Sequence, residues 1–121
     1  MPHLNLLSFA HCSSSEQTLP NFYLSNFILF PAVEESLKDK VASYSYHPDN
    51  FYLKITSEIK KRFPETCLIS DVAMDPYSSD GHDGVVKDGK IINDETLPIL
   101  AKMAVAQAAA GFDLIGPSDM M

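Results

Sequence analysis

The sequence predicts an α/β fold in which parallel strands alternate with helices. Three short apolar runs, at residues 26–31, from Cys67-Leu68-Ile69 onward, and at Asp113-Leu114-Ile115, are separated by stretches with helical apolar spacing. The second and third runs both empty into polar, acid-bearing loops, Ser70-Asp71 through Gly84 and Gly116 through Met121. Strands that deliver carboxylates at their C-terminal ends, with a strong helix between them, describe the rim of a parallel sheet or barrel.

The first strand, Asn26-Phe27-Ile28-Leu29-Phe30-Pro31, is continuously apolar, which predicts a strand covered on both faces and ended by its proline. A linker runs through Ser43 to Pro48. Asp49 or Asn50 then caps a helix whose apolar positions are Tyr52, Ile55, Ile59 and Phe63, with Lys60, Lys61 and Arg62 in the last turn and Pro64 stopping it. After the second strand and its loop, Asn93 or Asp94 caps a second helix. Glu95 stands in its first turn, Pro98 is early enough to be tolerated, and Gly111 closes it. Leu97, Leu100, Ala101, Ala104, Val105 and Ala108 form the apolar stripe expected to pack on the sheet. Alternation of strand and helix predicts right-handed parallel crossovers, so both acidic loops emerge on one face.

Composition fits one globular domain: 121 residues, 45% hydrophobic and 21% charged. Nine basic against 16 acidic side chains give a net charge of −7, which argues against nucleic acid or an anionic membrane as partner. No apolar run approaches the roughly 20 residues that span a bilayer. Cys12 and Cys67 form no CxxC spacing, so neither a thiolate zinc site nor a redox motif is expected. Residues 1–23 contain no Lys or Arg and are set apart as an unmatched N-terminal segment, a leader or a mispredicted stretch.

Asp71, at a strand end, is placed for proton transfer or substrate positioning, close to where Ser118 and Asp119 arrive from the next strand. Capping of the following turn is the alternative use of such a residue. Asp75, Asp80, His82 and Asp83, with Ser78 and Ser79, offer hard ligands suited to Mg²⁺, but the spacing is not that of a calcium loop. Gly81, Gly84 and Gly89 suggest tight turns in a lid-like loop. None of Lys38, Lys40, Lys54, Lys60, Lys61, Lys87, Lys90 and Lys102 falls at the end of a buried strand, where a Schiff-base amine would be desolvated.

Phe30-Pro31, the run from Asp71 to Gly84, Asn93-Asp94-Glu95-Thr96, and Ala109-Ala110-Gly111 through Pro117-Ser118-Asp119-Met120-Met121 occur in the order of the porphobilinogen synthase (5-aminolevulinate dehydratase) family, which residues 24–121 closely resemble. The resemblance implies a partial TIM (β/α)8 barrel of about three strands. It implies a homo-octameric hydro-lyase of haem and chlorophyll biosynthesis that condenses two 5-aminolevulinate molecules to porphobilinogen with loss of water. Asp71 matches a pocket acid, and Ser118 with Asp119 match substrate-binding residues. The Schiff-base lysines, the carboxylate-gripping arginines and the main, regulatory magnesium site belong to segments beyond Met121.

Zinc-dependent members carry cysteines where this chain has Ala73, Asp75 and Asp83, so the resemblance is to the magnesium type, with Asp75 and Asp83 as metal candidates. That type implies a plastid or a bacterial cytoplasm. The expectation for the isolated 121 residues is a truncated product without dehydratase activity. A non-catalytic fragment that binds full-length subunits, and a small acidic cation-binding domain, are the competing expectations.

Overall fold

The computed structural model describes residues 25–119. The segment 1–23 that the sequence set apart lies outside them. A three-stranded parallel sheet has the order β1 (Asn26–Leu29), β2 (Cys67–Val72), β5 (Leu114–Pro117), with α1 (Phe51–Arg62) and α2 (Asn93–Ala110) as its crossovers. Asn26 stands opposite Cys67, and Ile69 opposite Leu114. The α/β alternation expected from the sequence is therefore present.

Both helices cover the same face of the sheet. In β2 burial alternates: Leu68, Ser70 and Val72 are buried, whereas Cys67, Ile69 and Asp71 are half-buried. Leu68 packs with Tyr52, Leu53 and Phe112, and Val72 packs with Met74, Tyr77, Val85, Ile99 and Met103. The Tyr52 and Phe112 rings meet at 5.1 Å. Asn50 caps α1, its side chain accepting from the Tyr52 amide at 2.9 Å. Gly111 ends α2 at φ 107°, a left-handed conformation that side chains rarely adopt.

Three expectations are corrected. First, β1 is an exposed edge strand rather than one covered twice: Phe27 is 36% and Ile28 50% exposed. A continuous apolar run reports what a strand is able to bury, not what lies against it.

Second, α2 buries Thr96, Ile99, Met103 and Gln107, while Leu97 and Val105 of the expected stripe are exposed at 51% and 69%. Leu100 and Ala104 of that stripe do pack against the core beside Ile99 and Met103; alanines on every side give the helix little amphipathic contrast, so the apolar count matched the buried face only in part. Its start also lacks the expected Asn93 or Asp94 cap. Ile92 holds the cap position without a side-chain bond, and Thr96 Oγ1 instead donates back to the Ile92 carbonyl at 2.8 Å.

Third, the glycine-bearing segment is not one open loop. β3 (Val86–Lys87) and β4 (Lys90–Ile91) form an antiparallel hairpin. Asp88 and Gly89 both have positive φ, 50° and 72°, as a two-residue primed turn requires.

Candidate functional site

Asp71 is the penultimate residue of β2, on the face opposite the helices, and stands across from Gly116 of β5. Chain continuing from β2 turns at Met74, whose carbonyl accepts from the Tyr77 and Ser78 amides. That turn is held from beneath: Tyr77 is 1% exposed, and Asn50 Nδ2 donates to its hydroxyl at 3.3 Å. Burial, the largest influence, pushes the Tyr77 hydroxyl up to about 12, so it stays protonated.

A second strap supports the same loop. Asp39 forms a parallel bridge with Ser78: its amide donates to the Tyr77 carbonyl and its carbonyl accepts from the Ser79 amide. The Asp39 carboxylate accepts from the Val41 and Ser43 amides at 3.0 Å each and from the Ser43 hydroxyl. Burial works to raise the Asp39 carboxyl, but these donors outweigh it and hold the group below its ordinary value.

On this platform the structure gathers three carboxylates. Oxygen atoms of Asp75, Asp83 and Asp119 lie within 4.8 Å of one another. Asp119, just past β5, is fixed by the Met74 amide, which donates to its Oδ2 at 2.9 Å. Burial and, after it, the charges of Asp83 and Asp71 raise the Asp75 carboxyl above its ordinary value. Asp119 is pushed up to about 6: burial is the largest influence, the Met74 amide opposes it, and the charges of Asp83, Asp75 and Asp71 add to it. Mutually repelling carboxylates of this kind are relieved by a proton or a cation. An all-oxygen donor set suits a hard divalent ion such as Mg²⁺ and gives a thiophilic metal nothing to prefer.

Every residue singled out by sequence is accounted for. Asp71 raises the Asp75 and Asp119 carboxyls through its charge, and Asp75 and Asp83, the two metal candidates, both lie in the cluster. Asp119, expected as a substrate-binding residue, joins these two. Ser118 is exposed beside it, and Asp80 and His82 are exposed on the far limb of the loop. None of the eight lysines lies at the end of a strand of the parallel sheet. Lys60, the most engaged, donates to Asp113 and to the Pro64 and Thr66 carbonyls, and Lys38 pairs with Glu35 at 2.6 Å while lowering Asp75 slightly against the raising influences.

Sequence reasoning missed the supports. Tyr52 donates from its hydroxyl to the Leu29 carbonyl at 2.7 Å, and Gln107 Nε2 donates to the Asp71 carbonyl at 2.9 Å. A lone glutamine inside an alanine-rich helix was the signal available for the second of these.

Among the described residues no helix is long and apolar enough to cross a membrane. A family model described as "Delta-aminolevulinic acid dehydratase" matches residues 1–121. The chloroplastic delta-aminolevulinic acid dehydratase of Selaginella martensii is 48% identical over 99 residues, 81% of this chain and 24% of that protein. The Bradyrhizobium diazoefficiens enzyme of the same name is 40% identical over 121 residues, all of this chain and 34% of its own length. A crystal structure of the Toxoplasma gondii ME49 enzyme with its reaction product porphobilinogen superposes with a TM-score of 0.76 at 49% identity, covering 78% of this chain and 28% of that one. This chain thus spans about a quarter to a third of the length of the relatives it matches.

Proposed function

The chain belongs to the delta-aminolevulinic acid dehydratase family, and from that membership we propose that its acid-lined strand ends form one wall of a porphobilinogen synthase pocket. The reaction is the condensation of two 5-aminolevulinate molecules to porphobilinogen with loss of water, in tetrapyrrole biosynthesis. The observation that carries the reading is the convergence of Asp75, Asp83 and Asp119 in the loops that follow adjacent parallel strands, within the electrostatic reach of Asp71 at the end of β2, on the side where barrel enzymes do their chemistry.

In this reading Asp71 moves or holds a proton on the substrate, and Ser118 and Asp119 orient it. Covalent capture of substrate needs amines that titrate low enough to attack a carbonyl. The eight lysines here are solvated or tied into structural pairs, so those amines come from polypeptide outside these 121 residues. Asp75, Asp83 and Asp119 would hold Mg²⁺, which when bound supplies positive charge that neutralises the cluster. Assembly follows the family expectation of a homo-octamer, and the setting is a plastid or a bacterial cytoplasm.

Porphobilinogen formation tests the proposal. The purified 121-residue chain is expected to give none above a no-enzyme control, and turnover by it would overturn the single-wall reading. A hybrid carrying residues 25–119 in place of the matching segment of the Toxoplasma gondii enzyme is expected to be active and to lose activity on Asp71→Ala. A hybrid indifferent to that change removes Asp71 from the chemistry.

A further inference from the structure

We propose that Gln107 is a positioning residue for Asp71, acting through the Asp71 backbone carbonyl; this rests on the reading of Asp71 as the pocket acid. In β2 the odd-numbered residues turn their ladder groups toward β1, since the Cys67 amide donates to the Ser25 carbonyl at 2.7 Å and Cys67 stands opposite Asn26. Parallel pairing repeats every two residues. Carried one step past the Leu29–Ser70 pair, the register sets Asp71 opposite Phe30 and aims its carbonyl at the N–H of residue 31. That residue is Pro31, which has no N–H to give.

Gln107 supplies the missing donor from another element. Its Nε2 lies 2.9 Å from the Asp71 carbonyl oxygen, and the residue is 1% exposed. Its Oε1 has no protein partner among the described residues, so the bond to Asp71 is the one that holds this buried carboxamide. A polar group kept in the face that also buries Ile99 and Met103 costs free energy unless it is hydrogen-bonded. The single bond it makes falls on the peptide that joins Asp71 to Val72. Fixing that peptide plane fixes the Asp71 ψ torsion and with it the Cα–Cβ direction from which the carboxylate projects, and the rotamers open to a side chain depend on its backbone torsions. Pro31 and Gln107 therefore act as a pair: one leaves the carbonyl free of the ladder, and the other clamps it from α2.

Nuclear magnetic resonance on the isotope-labelled 121-residue chain tests this by the three-bond couplings that report the Asp71 χ1 rotamer. Asp71 is expected to hold one rotamer in the parent and to average over rotamers in Gln107→Met, which keeps the packing volume without the donor. Asp113, anchored elsewhere, is expected to be unchanged in both. A parent Asp71 that already averages, or a variant Asp71 as fixed as the parent's, overturns the proposal.

If Gln107→Met fails to fold, Gln107→Glu makes the same test against itself. Asp71 should be fixed while the introduced carboxyl is protonated and able to donate, and should average once that carboxyl ionises. Loss of fold in both variants also overturns the proposal, because the carboxamide then serves the whole structure. Full activity of an Asp71→Asn hybrid enzyme would instead sink the functional reading while leaving the coupling result standing.

Discussion

The Asp119 carboxylate accepts a 2.9 Å hydrogen bond from the Met74 amide, so the residue after β5 is tied to the turn after β2. This bond brings Asp119 to Asp75 and Asp83, and it explains why one carboxylate tolerates a site that disfavours its charge. Met74 is fully buried, so the backbone at that turn has little freedom to relax the repulsion.

A stability prediction follows for the metal-free chain. The Asp119 carboxyl titrates near 6 when folded against an ordinary 3.8, so the folded state holds that proton more tightly than the unfolded one. The contribution of this group is therefore most favourable below 3.8 and is lost as pH rises toward 6. Asp119→Asn keeps an acceptor for the Met74 amide and removes the charge. In EDTA at pH 7 its urea midpoint is expected to lie above the parent's, and a lower midpoint would show that the repulsion is negligible.

Magnesium should reverse that penalty. Isothermal calorimetry is expected to show Mg²⁺ binding to the parent chain and its loss in the Asp75→Ala, Asp83→Ala double variant, because one remaining carboxylate cannot replace three. Equal heats from the two proteins would remove the cluster as a cation site.

The phase of α2 is open to a paired test. Met103 is fully buried among Val72, Tyr77 and Ile99, whereas Val105 is 69% exposed. Met103→Ala is expected to cost about 2–5 kcal/mol by chemical denaturation. Val105→Ala should stay within about 0.5 kcal/mol of the parent. The opposite ranking would put the Leu97 and Val105 side of the expected stripe, rather than its Leu100 and Ala104 side, against the sheet.

These contrasts show what was legible in the sequence. Strand and helix order, the Asn50 cap and the Gly111 stop could be read because each depends on local chemistry, a capping side chain or a positive φ. The crowded loop after β2 offered Asp75, Asp80, His82 and Asp83 alike, and only the family resemblance singled out Asp75 and Asp83. What α2 buries was not legible, since alanine fits either face and only tertiary contact distinguishes them. Exposure of β1 depends on what lies against it, which its own residues do not encode. The Asp88-Gly89 hairpin was available in the sequence: an Asp-Gly pair between Val-Lys and Lys-Ile is a primed-turn signal, stronger than the loop punctuation that glycines alone suggest. The supports at Tyr52 and Gln107 join residues 23 and 36 positions apart, beyond the reach of any local pattern.

Asp113 Oδ2 accepts from the Leu68 amide at 2.8 Å and from the Lys60 ammonium at 3.0 Å, so one carboxylate joins β2, the end of α1 and the turn out of α2. The Leu68 amide first, and Lys60 after it, hold the Asp113 carboxyl below its ordinary value of 3.8. A carboxyl lowered on folding adds stability that is fully present above the unfolded value and is lost as pH falls through the folded one. Between neutral pH and the acid range, the parent should therefore lose stability that Asp113→Asn does not lose. Since Asn still offers an oxygen to Leu68, the variant isolates the charge from the hydrogen bond. Urea midpoints taken in half-unit pH steps check this, and parallel acid limbs for the two proteins would show that the Lys60–Asp113 pair is a solvated contact without consequence for the fold.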